Sequence, residues 1–212
     1  MKLLVIGATG PAGLEICRHA LKKGYAVTAL IRNIAKAVHF QRVEIAIGNV
    51  LDLASLKKAL AHQDAVICSL GSAASGPFKK VFLLSEGTRN LVNAMQDQGV
   101  KRLICITGVG AGESKGHGPW YYNRLIQPLM LRGVYEDKTR QEEVVRHSGL
   151  FWTLVRPALL TNKPAKGLSA VRTLTELPGS RISTISRADV AAFCLQELAD
   201  GHYLNQAPVI TY

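Results

Sequence analysis

The chain has 212 residues, 48% of them apolar and 19% charged, with 26 Lys and Arg against 15 Asp and Glu for a net charge of +11. That length fits one domain with a full core, and the apolar share excludes an intrinsically disordered chain. No stretch approaches the roughly 20 continuous apolar residues that a membrane helix needs, and the amino-terminal apolar run stops at Gly7, too soon for a signal peptide.

Lys2 to Ile6 reads as a buried parallel strand that ends in a glycine turn. Leu14, Cys17 and Leu21 then recur at helical spacing, and Gly24 is a stop. Tyr25 to Ile31 reads as a second strand and Val43 to Ile47 as a third, and Asp52 caps a helix over Leu53 to Ala61. Asp64 to Leu70 is a fourth strand. Leu84, Thr88, Leu91, Val92 and Met95 share one helix face that stops at Gly99. Arg102 to Thr107 makes a fifth strand, Asp137 to His147 a polar helix, and Phe151 to Val155 a sixth strand ending at Arg156-Pro157. Ser186-Arg187-Ala188-Asp189 reads as a capping box before the apolar face of Val190, Phe193, Cys194 and Leu198, and Pro208 to Tyr212 as a last short strand.

This alternation predicts an α/β fold: a Rossmann-type doubly wound parallel sheet, helices on both faces, right-handed crossovers, one domain over 1–212. Two excursions, about 111–136 and 162–185, break the rhythm. In an open α/β sheet they belong at the strand carboxyl ends, where ligands bind. The four cysteines lie far apart in apolar runs and read as buried free thiols of a cytoplasmic protein; neither they nor the six histidines show metal-ligand spacing. The bases are scattered pairs without interleaved aromatics, so neither a nucleic-acid face nor a membrane face is expected. No long amphipathic seam appears, which points to a monomer or a weak dimer.

Gly7-Ala8-Thr9-Gly10-Pro11-Ala12-Gly13 follows the first strand and opens the first helix. One glycine of such a loop allows the sharp turn, another lets the backbone approach a diphosphate, and the last permits close contact of helix and strand. The helix N-terminus meanwhile directs free N–H groups at the phosphates. Pro11 suits the first turn, where its missing N–H is not needed. The end of the second strand selects the cofactor. It carries Ile31-Arg32-Asn33, and no Asp or Glu occurs from Ile16 to Val43. A carboxylate there would repel a 2′-phosphate; Arg32 can pair with one through its planar fork, so NADP(H) is expected.

These residues resemble the atypical short-chain dehydrogenase/reductase superfamily, and within it the NAD(P)H-binding group of NmrA-like proteins and biliverdin-IXβ (flavin) reductases. Besides the loop, the marks are Gly48-Asn49-Val50, Asp64-Ala65-Val66-Ile67, Asp137-Lys138 with Glu142-Glu143, the run Ser148 to Pro157, and Ile185 to Ala191. The resemblance implies that Gly7, Thr9, Gly10, Pro11, Ala12 and Gly13 hold the diphosphate and nearby ribose, and that Arg32 and Asn33 hold the 2′-phosphate. Asn49 and Val50 would lie by the adenine, where relatives usually have Asp-Val. Leu70, Gly71 and Ser72 would line the middle, Thr107 and Gly108 the nicotinamide, and Pro157 and Ala158 its carboxamide. Thr107 would offer a hydroxyl for catalysis, and Lys138 would reach the nicotinamide ribose. The superfamily's Tyr-x-x-x-Lys acid/base pair is missing: no tyrosine here has Lys four places on.

An alcohol or ketone needs a proton donor at its oxygen, whereas a flavin, quinone or linear tetrapyrrole delocalises the incoming charge. The expected activity is therefore hydride transfer from NADPH to a small conjugated acceptor; Trp120, Tyr121 and Tyr122 can either stack on such a ring or anchor a helix over Leu125, Leu129 and Leu131. The alternative is an NmrA-like regulator that senses NADP(H) without turnover. A sugar-nucleotide epimerase fits less well, because the Tyr–Lys pair is absent and the carboxyl-terminal half is short.

Overall fold

In the computed structural model of the chain, the described residues are 1–71, 81–117, 131–176 and 182–212. The first strand, β1 (Lys2–Ile6), is buried from Leu3 onward on both faces. Leu3 and Val5 point into one apolar cluster and Leu4 and Ile6 into the other, so the run lacks polar alternation because neither face meets water. It pairs in parallel with β2 (Ala26–Ile31) on one side and β4 (Ala65–Cys68) on the other. β3 (Glu44–Ile47), β5 (Arg102–Ile106), β6 (Phe151–Pro157) and β10 (Val209–Thr211) extend the sheet in parallel, and β8 (Arg172–Leu174) closes the far edge antiparallel to β10. The order is β3-β2-β1-β4-β5-β6-β10-β8, the doubly wound sheet expected from the alternation. β7 (Leu159–Thr161) and β9 (Thr184–Ser186) form a separate parallel pair.

Helices α1 (Pro11–Lys22) and α5 (Arg187–Asp200) pack together on one face. On the other face, α3 (Leu83–Asp97) packs between α2 (Leu53–Leu60) and α4 (Arg132–Arg146). Asp52 caps α2 through Ala54 N–H, as expected. Ser186 caps α5 by accepting from Asp189 N–H, but the box is not reciprocal: Ser186 N–H goes to the Tyr212 hydroxyl, and the Asp189 carboxylate instead accepts from the N–H groups of Lys166 and Gly167.

Two boundaries differ from the sequence reading. α4 begins at Arg132 rather than Asp137, so its first turn takes the end of the first excursion. The second excursion holds the three-residue strands β8 and β9, too short to give a periodic signal.

Candidate dinucleotide site

Gly7 turns the chain out of β1 at φ +74°, and a side-chain carbon there would lie 2.3 Å from the Ser69 carbonyl oxygen. A carbon on Gly13 would lie 2.3 Å from the Gly7 carbonyl oxygen. The first glycine thus permits the turn beside β4, and the last lets α1 lie directly on the loop. No side chain caps α1, and Pro11 stands at its first position, so the amides of its first turn face outward at the positive end of the helix dipole.

The loop forms one wall of a cleft of about 500 Å³ across the carboxyl ends of β2, β1, β4 and β5. Of the residues expected at the site, the lining includes Gly7, Thr9, Gly10, Pro11, Ala12, Arg32, Val50, Leu70, Gly71, Thr107 and Lys138. Asn33 is not in the lining, and its side-chain oxygen caps the short 3₁₀ turn Ile34–His39 through Ala35 N–H. Asn49 likewise turns its side-chain oxygen to Leu51 N–H, while its neighbours Gly48 and Val50 face the cleft. Gly13, Gly108, Pro157 and Ala158 are not among the lining residues. Ser72 and the aromatics Trp120, Tyr121 and Tyr122 lie outside the described residues.

Thr107 reaches the cleft, but its hydroxyl hydrogen is spent inward: Oγ1 donates to Glu142 Oε1 at 2.7 Å. That carboxylate also accepts from Arg156 Nε at 3.0 Å, and all three residues are buried. Thr107 is therefore part of a buried ion-pair network behind the cleft rather than a hydroxyl donor to substrate. Glu113 closes the network from outside by pairing with Arg156 and Arg146.

Lys138 lines the cleft, and the reason lies in its neighbour. The carboxylate of Asp137, fully buried, accepts from the N–H groups of Leu84 and Ser85, at 2.8 and 3.3 Å, and so caps α3, whose own N-terminus has no side-chain cap. With Asp137 held to α3, the next residue of α4 turns to the cleft. There Lys138 Nζ donates to the Thr107 carbonyl and lies 5.6 Å from the centre of the Tyr135 ring. Burial pushes its ammonium below the ordinary lysine value, opposed by the negative charges of neighbouring groups, Glu142 among them. A side-chain carbon on Gly108 would lie 3.4 Å from Lys138 Nζ and 3.6 Å from Tyr135 Oη. Tyr135 is thus beside the lysine, three places before it, while Val134 occupies the position four before.

Leu160 and Arg187 complete the far end of the cleft, and the sequence reading missed both as site residues. Arg187, half-buried at the start of α5, donates from Nη1 to Asn162 Oδ1 at 2.7 Å. Among the described residues, three cations and no carboxylate line the cleft: Arg32, Lys138 and Arg187.

A crossover with outward amides, a cleft over the strand ends and a cationic lining define a Rossmann-type dinucleotide-binding protein. A family model described as NAD(P)H-binding matches residues 7–201, and the chain belongs to that family. NAD(P)H is thereby its cofactor class, and the NAD(P)H-binding character expected from the sequence is borne out. The solved structure of ChuY, an anaerobilin reductase from Escherichia coli O157:H7, superposes with a TM-score of 0.84 at 20% identity, covering 100% of this chain and 97% of that one. The NAD(P)H azoreductase of Xenophilus azovorans is 26% identical over 222 residues, 99% of this chain and 67% of that protein. The photosystem II assembly factor Ycf39 of Synechocystis is 32% identical over 115 residues, 53% of this chain and only 35% of the relative's length.

Proposed function

We propose that the protein is an NADPH-dependent reductase that passes hydride to a conjugated acceptor such as a flavin, quinone or linear tetrapyrrole. The observation that carries this reading is the lining of the cleft, which is cationic and, among the described residues, free of both carboxylate and phenol. The outward amides of α1 suit a diphosphate, and Arg32, exposed and without an ion pair among the described residues, suits a 2′-phosphate at the end of β2. Lys138 suits the hydroxyls of the nicotinamide ribose. When bound, the cofactor supplies the hydride; the protein orients it against the acceptor and excludes water. With the Thr107 hydroxyl committed to Glu142, Lys138 is the one ammonium in the described lining and no carboxyl or phenol accompanies it there, which favours acceptors that delocalise charge. The azoreductase and the anaerobilin reductase carry names of this kind of chemistry. Four buried free thiols are consistent with the reducing cytoplasm, and no helix among the described residues is long and apolar enough to cross a membrane.

The test is oxidation of NADPH, followed by absorbance at saturating cofactor, with FMN, quinones, an azo dye and biliverdin. Turnover with at least one of them and slower turnover with NADH is the expected result; no oxidation above background with any of them refutes the reading. In that event the protein would be a cofactor-sensing binding protein, a role that similarity to an assembly factor favours.

A further inference from the structure

We propose that Arg187 binds an anionic group of the acceptor, a carboxylate, sulfonate or phosphate, so that the substrates are planar conjugated molecules carrying at least one negative charge. This rests on the reductase reading and narrows it. The other charges of the cleft have partners on the cofactor: the first turn of α1 serves the diphosphate, Arg32 the 2′-phosphate and Lys138 the ribose. Arg187 is left over. It follows β9, which pairs with β7, and β7 continues from the carboxyl end of β6. It therefore stands on the β6 side of the cleft, whereas Arg32 stands on the β2 side. It comes from α5 and Lys138 from α4, helices on opposite faces of the sheet, so the two cations flank the far end of the cleft.

Helix stability does not explain an arginine there. The first turn of a helix favours anions, and a cation opposes the dipole. Nor does an ion pair: the buried Arg156 and the largely buried Arg102 are matched by Glu142 and Glu197, whereas Arg187, half-withdrawn from water, faces no carboxylate among the described residues. Its orientation is nonetheless fixed. Asp189, in the first turn of α5, accepts from the N–H groups of Lys166 and Gly167 at 2.8 and 3.0 Å and so ties down the loop that begins at Asn162. Asn162 Oδ1 then takes one guanidinium N–H, and among the described residues no other side chain is shown taking the remaining donors, which suit a ligand. Beside it, Leu160 offers an exposed apolar surface to a ring.

The experiment compares two matched pairs: FMN with riboflavin, and methyl red with its methyl ester. Each is titrated into the NADP⁺-saturated protein, with binding read from flavin fluorescence or dye absorbance, and separately tested for NADPH oxidation. Wild type should bind the charged member of at least one pair about 10-fold or more tighter, the worth of a charge-assisted hydrogen bond. Arg187→Gln should abolish that preference, leave the neutral member and NADPH affinity unchanged, and melt at the wild-type temperature; Arg187→Lys should retain part of the preference. Equal binding of charged and neutral members by wild type overturns the proposal. So does a loss of NADPH affinity in Arg187→Gln, which would assign the guanidinium to the cofactor. Because binding is read without turnover, failure of the reductase reading shows separately, as intact charge preference with no NADPH consumed.

Discussion

The two ends of the cleft are built by different means. At the β2 end the machinery is backbone: three glycines, the first turn of α1 and one exposed arginine, all within residues 7–32. At the β5–β6 end it is side chains assembled from far apart. Lys138 is set by Asp137 capping α3, Thr107 is held by Glu142 and Arg156, and Arg187 is oriented by Asn162. A local cradle fails when a backbone approach is blocked. A distributed network fails when a buried charge loses its partner.

The largest effect should come from the network. Glu142→Ala leaves Arg156 buried with only the outer Glu113, and breaking a buried pair costs about 3–5 kcal/mol, read as a lower denaturation midpoint. Replacing both partners with apolar residues of similar volume should restore most of that loss, because no uncompensated charge remains. If Glu142→Ala is neutral, the far end is not held as described.

At the cradle, Gly13→Ala drives a methyl group against the Gly7 carbonyl and should cost about 1–3 kcal/mol as an overpacked contact. The comparison sharpens in the second readout: Gly13→Ala should also weaken cofactor binding by displacing the loop, whereas the apolar Glu142/Arg156 double variant should change it far less.

Arg32→Glu tests selectivity. Losing a charge-assisted pair with the 2′-phosphate removes about 1.5–3 kcal/mol, so the NADPH-over-NADH affinity ratio should fall roughly 10- to 100-fold with little change in melting temperature.

The smallest effect is a pH limb. Burial lowers the Lys138 pKa below its ordinary 10.5, so the apo protein sheds this proton before the unfolded chain does. Between the lowered value and 10.5 this group's contribution to stability therefore rises with pH. Over the same window NADPH affinity should fall, because the ribose loses a charged donor. In Lys138→Arg the guanidinium stays charged, and the limb should vanish from affinity titrations run up to pH 10.5.

The same contrast explains what was legible in the sequence. The strands of the sheet centre were readable because both faces are covered and the runs are wholly apolar, and the cradle because its glycines sit within seven residues of one another. The use of the Thr107 hydroxyl, the capping of α3 by Asp137 and the placing of Arg187 depend on partners 35, 53 and 25 residues away, and no local pattern encodes them. The local contacts of Asn33 and Asn49 went unread for the opposite reason. Short polar side chains after a strand satisfy nearby backbone amides, a local use that competes with any ligand.

The most direct measurement is calorimetric titration of the apo protein with NADPH and with NADH. One saturable site, with NADPH bound at least 10-fold more tightly, is the predicted result. Equal affinities would remove Arg32 from the site, and no heat with either nucleotide would contradict the cleft as a dinucleotide site.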